Sequence, residues 1–324
     1  MKDTHRITIL DGLETNPRDL SWEPIYKHGI LTVYDDLIYD EDEIIERIAD
    51  SDMVITVDTP LTKRVISSCK NIKYIGAMAT GYNHIDLDAC EKRGITVTNV
   101  PSYSTLSVAR RTIALLMELS ERVSALSQIV KNGGWTSPFP HWETPSFSLD
   151  NKTVGIIGYG RIGSKTAKIA KAMGMNVIAY KRNTKEEKDD IASFVSLDTL
   201  FSTSDVIALH APLNDDSYHI INSETIEKMK NGVIILNTSR GALIDEDALI
   251  EGLISKKIWG VGLDVMENEP RKESPLFSLD NVIITPHSAW TDVEARRTLI
   301  YETGENIKAY LENRERNTIR KEGQ

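Results

Sequence analysis

Three apolar runs of the chain each lead into a residue suited to proton or anion chemistry. Val233–Asn237 leads to Thr238, Ser239 and Arg240. Gly260–Asp264 leads to Glu267, Asn268 and Glu269, and Val282–Thr285 leads to Pro286 and His287. A guanidinium can grip a carboxylate through paired hydrogen bonds and polarise a carbonyl oxygen. An imidazolium can release a proton near neutral pH, and a carboxylate on its far ring nitrogen fixes the tautomer and raises its pKa. Arg240, Glu269 and His287 together therefore suit proton delivery to a carbonyl under reduction beside a carboxylate, and the reverse step. Each alone is also an ordinary loop residue, and Glu267 competes with Glu269 for the acidic role.

A redox step needs a hydride carrier, and one stretch has the pattern for holding it. The run Thr153–Ile157 enters Gly158-Tyr159-Gly160-Arg161-Ile162-Gly163, and a helical pattern starts at once. A second apolar run, Val177–Tyr180, follows. Strand, glycine-rich turn, helix and strand is the context a dinucleotide site requires. Gly158 serves the tight turn, Gly160 lets the backbone approach a pyrophosphate, and Gly163 lets helix pack on strand. Arg161 and Ile162 open the helix, whose N-terminus carries unpaired N–H groups for the phosphates. An acid that would bind a ribose 2′-hydroxyl is expected where the second strand ends. Lys181 and Arg182 stand there instead. Two cations suit a 2′-phosphate, so the sequence predicts NADP in preference to NAD.

These residues need a scaffold that gathers strand ends on one edge. Short apolar runs alternate with helical patterns in two series, Ile7–Leu10 to Ile95–Asn99 and Thr153–Ile157 to Val282–Thr285. That alternation predicts an α/β fold of two doubly wound parallel-sheet domains, a Rossmann cofactor domain and a flavodoxin-like substrate domain. Ligands of such sheets bind beyond the carboxyl ends of the strands, so Arg240, Glu269 and His287 can converge. The expected boundaries are 1–101 plus 288–324 for the substrate domain and 102–287 for the cofactor domain. A long helix is expected over about 105–131, capped by Ser102 or Ser104 and ended by Gly133-Gly134. With the aromatic, proline-rich stretch that follows, it makes an expected dimerisation arm over about 105–150.

The chain has 324 residues, enough for two cores, and a formal net charge of −10. An acidic surface argues against nucleic acid or an anionic membrane as partner. Cys69 and Cys90 have no metal-like spacing, and no metal is expected. The first residues run straight into a strand without the apolar stretch of a signal peptide, so the expected location is cytoplasmic.

In order along the chain, Ala79–Asp86, Val97–Pro101, the Gly158–Gly163 turn, Leu209–Leu213, Asn237–Gly241, Gly262–Pro270 and Pro286–Trp290 resemble the D-isomer-specific 2-hydroxyacid dehydrogenases, over essentially the whole chain. Within them, Val130–Ser137 and His287–Trp290 with Glu294–Arg296 are most similar to glyoxylate/hydroxypyruvate reductases, also called glycerate dehydrogenases. The resemblance implies Arg240 on substrate, Glu269 paired with His287 as acid/base, and Asp264 beside the nicotinamide. It implies Thr80 and Gly81 on the substrate carboxylate, Ala211, Pro212 and Thr238 along the cofactor, and a homodimer through the aromatic arm, with Trp142 either the residue that reaches the partner's site or one packed only in the dimer contact. The implied substrates are small 2-keto and 2-hydroxy acids. Phosphoglycerate dehydrogenases and dinucleotide-sensing corepressors share the same motifs and remain alternatives. Arg110-Arg111 stands where relatives often carry an acid or amide followed by His; an exposed helix face is the simpler expectation.

Overall fold

Strands made of unbroken β-branched and apolar residues bury both faces, and such strands suit a parallel sheet covered by helices on each side. The structure, a computed structural model, describes residues 4–135, 145–182 and 189–320. It divides into two units. One holds residues up to Tyr103 together with those from Thr291 onward, and the other runs from Ser104 to Trp290.

The first unit contains β1 (Arg6–Ile9), β2 (Ile30–Val33), β3 (Met53–Thr56), β4 (Tyr74–Ala77) and β5 (Thr96–Thr98). All neighbours are parallel, in the order β2-β1-β3-β4-β5, which is the flavodoxin-like order. Every residue of β3 and β4 is buried. The helices are α1 (Gly12–Thr15), α2 (Glu23–Tyr26), α3 (Glu41–Ile48), α4 (Lys63–Ser68) and α5 (Leu87–Lys92), with α12 (Val293–Leu311) returning from the far end of the chain. Three particular contacts hold α12 here. Arg296 donates to both carboxylate oxygens of Asp19 at 2.7 Å each, Asn306 donates to the carbonyl of Asn99 at 2.9 Å, and Gly304 packs where a Cβ would lie 2.2 Å from the Pro24 carbonyl oxygen.

The second unit contains α6 (Thr105–Glu121), α7 (Val123–Lys131), β6 (Thr153–Ile157), α8 (Arg161–Ala172), β7 (Asn176–Tyr180), β8 (Ser193–Phe194), α9 (Leu197–Thr203), β9 (Val206–Leu209), α10 (Ser223–Lys228), β10 (Val233–Asn237), α11 (Glu246–Ile254), β11 (Ile258–Leu263) and β12 (Val282–Ile284). The sheet order is β12-β11-β10-β9-β6-β7-β8, all parallel. This is the Rossmann order with one more strand at the edge. Strand order reverses between β6 and β9, so the crevice for a ligand opens at the carboxyl end of β6. One core, with Leu200, Ile235 and Leu249, fills one side of the sheet. A second, with Leu115, Ile156 and Ala167, fills the other. Truncating one such fully buried aliphatic to Ala costs about 2–5 kcal/mol.

Three expectations need correction. The single helix over 105–131 is two helices, because Arg122 turns left-handed at φ 55°. The Glu118 carboxylate then accepts the N–H of Ser124, at 3.0 Å, and so satisfies a donor at the start of α7. Nor is 105–121 part of an arm. Leu115, Leu116 and Leu119 of α6 are core residues, and only from Val123 does the segment leave the core, α7 having no buried residue. The second boundary falls after Trp290 rather than after His287. The reason is local: Ser107 donates to the Ala289 carbonyl and Asp264 holds the amides of Ser288 and Ala289. No described helix is long and apolar enough to cross a membrane.

Candidate active site

β10, β11 and β12 are neighbours, and the residues that follow them are Arg240, Glu269 and His287. Asn237 shapes the first turn. Its side chain donates to the Arg240 carbonyl at 2.8 Å and accepts the Ser239 N–H at 3.0 Å. Arg240 itself is half-buried, its guanidinium donating to the Ser239 carbonyl at 2.7 Å.

His287 sits at φ 47°, a left-handed backbone that side-chain-bearing residues rarely adopt. The surroundings hold it there. Its N–H donates to the carbonyls of Asp264 and Thr285, at 2.8 and 2.9 Å. The Asp264 carboxylate, 1% exposed, accepts the Thr285 hydroxyl, the Ser288 N–H at 3.0 Å and the Ala289 N–H at 2.8 Å. Three of its roughly four acceptor positions are thus filled by the loop that carries His287. Arg111 of α6 adds a bond to the Ser288 carbonyl at 3.4 Å, so it does more than face solvent.

Nδ1 of His287 lies 2.8 Å from the Glu269 carboxylate. Burial alone would lower the His287 pKa. The hydrogen bond and charge of Glu269, with the charge of Asp264, overcome that and raise it, against a smaller opposing push from Arg240. The imidazolium is therefore favoured, and the guanidinium lies within electrostatic reach of it. The competing acid, Glu267, faces elsewhere. Its carboxylate pairs with His219, whose Nε2 is 3.1 Å away, while its N–H donates to Glu246 at 2.8 Å. This second imidazole–carboxylate pair has no sequence signal, because 48 positions separate its members.

The turn after β6 has room for a dinucleotide where one is needed. Gly158 has φ +96°, and a Cβ there would lie 2.5 Å from the Ala211 N and the His210 carbonyl, so any side chain is barred. At Gly163 a Cβ would lie 2.2 Å from the Gly158 oxygen. At Gly160 the space is open, with nothing within 4 Å. Side chains cap α9, α10 and α11, but none among the described residues caps α8 at Gly160. An open approach onto uncapped N–H groups fits a pyrophosphate. Arg161 and Ile162 are the first residues of α8. His210, beside Gly158, has both ring nitrogens buried without a partner among the described residues. Burial pushes its pKa down to about 4, so it brings no charge to the turn.

The remaining candidates are placed as follows. Ala211 and Pro212 follow β9, and Thr238 is buried after β10 with its hydroxyl 2.8 Å from that of Thr112. Lys181 lies over the Phe194 ring, 5.3 Å from its centre, and Arg182 is ion-paired with Asp216. In the first unit, Thr80 follows β4, donating its hydroxyl to the Val100 carbonyl at 3.2 Å, and Gly81 is the next residue. Trp142 lies outside the described residues. Among those residues no group of three or more His, Cys, Asp or Glu is arranged to hold a metal ion.

Comparison with known proteins places this geometry. A family described as "D-isomer specific 2-hydroxyacid dehydrogenase, NAD binding domain" matches residues 113–289. A hydroxypyruvate reductase of Blautia hydrogenotrophica is 44% identical over 322 residues, 98% of this chain and 100% of that one. An acyclic imino acid reductase in complex with NADPH and D-Arg superposes with a TM-score of 0.84 at 34% identity, covering 97% of this chain and 100% of that one. D-lactate dehydrogenase from Aquifex aeolicus, complexed with NAD and lactic acid, gives 0.81 at 32% identity, over 95% and 96%. With two parallel-sheet units, a glycine turn open to a pyrophosphate and a carboxylate-backed histidine, the chain belongs to the D-isomer specific 2-hydroxyacid dehydrogenase family.

Proposed function

We propose that the protein reduces a small 2-keto acid, glyoxylate or hydroxypyruvate, to the D-2-hydroxy acid, glycolate or D-glycerate, with NADPH preferred over NADH. The observation that carries the reading is the 2.8 Å contact between His287 and Glu269 in the unit that also holds Arg240. The Gly158–Gly163 turn and the first residues of α8 would hold the pyrophosphate, with Ala211, Pro212 and Thr238 along the cofactor and Asp264 near its nicotinamide end. When bound, the reduced nicotinamide supplies a hydride to C2 of the substrate.

The chain's own groups do the rest. Arg240 holds the substrate carboxylate and draws electron density toward the keto oxygen. His287, charged through Glu269, passes its Nε2 proton to that oxygen as the alkoxide forms. Glu269 keeps Nδ1 protonated, so Nε2 always faces the substrate. In the oxidising direction the neutral ring takes the hydroxyl proton back.

Lys181 and Arg182 support the NADPH preference, since no acid ends β7 to repel a 2′-phosphate. Exposed apolar residues on and after α7, Val123, Val130 and Trp135, support a homodimer through this segment. Two buried free thiols, Cys69 and Cys90, suit the reducing cytoplasm.

The test is to follow the absorbance of NADPH and NADH with hydroxypyruvate, glyoxylate, pyruvate and phosphohydroxypyruvate. Turnover fastest with the first two, giving the D product, is expected. No turnover with any of the four would end the proposal. Light scattering on the eluting peak of a sizing column reads the oligomer directly.

A further inference from the structure

We propose that Asp216 sets the balance between the two cofactor forms, holding Arg182 when the ribose carries a hydroxyl and yielding it to a 2′-phosphate. The inference rests on the reading that the second unit binds a nicotinamide dinucleotide, and extends it to a residue outside the usual motif.

The strand order makes the placement possible. β7 and β9 flank β6 on opposite sides, and all three are parallel. The residues after β7 and those after β9 therefore emerge on the same edge as the Gly158 turn. Arg182 comes from the β7 side and Asp216 from the β9 side, and the two are ion-paired. The pair thus joins the two flanks of the crevice at the end of β6.

Asp216 is held in position by its turn. Its N–H donates to the Asn214 side chain at 3.1 Å. The Ser217 hydroxyl donates to the Pro212 carbonyl at 2.7 Å and accepts the Asn214 N–H at 2.8 Å. Lys181 is stationed differently, over Phe194, whose ring meets Tyr159 of the glycine turn edge-on at 5.2 Å between centres. Arg182, then, already has a carboxylate where a phosphate would arrive.

That carboxylate has two consequences. Toward NADPH it competes, because the phosphate must displace it from Arg182. The side chains are 64% and 67% exposed, so the pair is weak enough to exchange, and a phosphate of nearly two charges wins. Toward NADH it contributes, because it supplies from the β9 side the acceptor for ribose hydroxyls that β7 does not carry. One pair of side chains thus accepts either form, and Asp216 narrows the preference that Lys181 and Arg182 would otherwise create.

The experiment is an equilibrium titration of the full chain with NADPH and with NADH, read by fluorescence, for wild type, D216N, D215N, R182A and D216N/R182A. Asp215 controls for charge, since it has no ion pair with Arg182 among the described residues. D216N should tighten NADPH by about threefold to tenfold and weaken NADH. D215N should shift the ratio of the two dissociation constants less than about twofold. In the R182A background the D216N effect on NADPH should vanish. A ratio that moves no more in D216N than in D215N, or a D216N effect that survives R182A, overturns the role of Asp216 and leaves the cofactor reading standing. A wild-type chain that binds neither form overturns both.

Discussion

Nδ1 of His287 is 2.8 Å from the carboxylate of Glu269, while Glu267, two residues earlier, lies 3.1 Å from Nε2 of His219. Two acids on one loop thus serve two different imidazoles. Because Glu269 raises the His287 pKa, His287 stays protonated to higher pH than an unassisted ring. Reduction, which needs the imidazolium, holds below that raised pKa and falls as pH rises through it. E269Q removes the charge that raises it, so the alkaline limb of kcat/KM for reduction should move to lower pH. E267Q should leave that limb in place. Profiles of the two variants side by side decide the assignment, and a limb that moves equally in both rejects it.

Replacing the acid itself should cost more than replacing its partner. H287A is expected to lower kcat for keto acid reduction by about 10²- to 10⁴-fold, the usual worth of a positioned proton donor. Binding of the reduced cofactor, measured by fluorescence, should change little. A variant that keeps more than a tenth of wild-type turnover would remove His287 from the mechanism.

Arg240 is assigned both to the substrate carboxylate and to the developing charge on oxygen. R240A should therefore raise KM and lower kcat together, the latter by about 10²- to 10³-fold. R240K should recover little, because an ammonium cannot reproduce the paired geometry. Steady-state kinetics with glyoxylate separate the two effects, and a rise in KM alone would confine Arg240 to binding.

The glycine turn separates folding from binding. G158A places a methyl 2.5 Å from backbone atoms of His210 and Ala211 at φ +96°, so the fold should lose stability beyond the ~1–3 kcal/mol of backbone strain. G160A meets open space and should melt within about 0.5 kcal/mol of wild type, yet bind the dinucleotide at least tenfold more weakly. Melting curves and cofactor titrations on both variants test this. Equal melting for the two would contradict the packing at Gly158.

Asp264 is expected to matter to the loop even without cofactor. D264A leaves the Thr285 hydroxyl and the amides of Ser288 and Ala289 without their acceptor, at about 1–3 kcal/mol for each group that stays buried. The apparent melting temperature of the cofactor-free protein should fall by at least about 4 °C. An unchanged melting temperature would show that the loop finds other acceptors.

Much of the fold and the site is legible in the amino-acid sequence because its signals are local. Gly158 to Gly163 lie within one turn, flanked by the strand and helix that give the glycines meaning. Arg240, Glu269 and His287 are distant in sequence but each follows a strand, and a parallel sheet brings strand ends to one edge. What stays hidden depends on partners that no spacing encodes. Arg122 breaks an amphipathic pattern that continues in phase on either side, without Gly or Pro to mark it. Asp216 meets Arg182 only because β6 lies between β7 and β9. Spacing alone does not separate Glu267 from Glu269; the resemblance names Glu269, but the pairing of Glu267 with His219 appears only in the path of the loop. β8, two residues long, is too short to have a period.

The left-handed backbone of His287 has a further consequence. A position that holds an ordinary L-residue at φ 47° spends about 1–2 kcal/mol that an asparagine or glycine would partly recover. At this one place, durability and turnover pull in opposite directions. A library randomised at position 287 and sorted only for survival on heating should enrich inert proteins, and the histidine should return only when the sort demands a product.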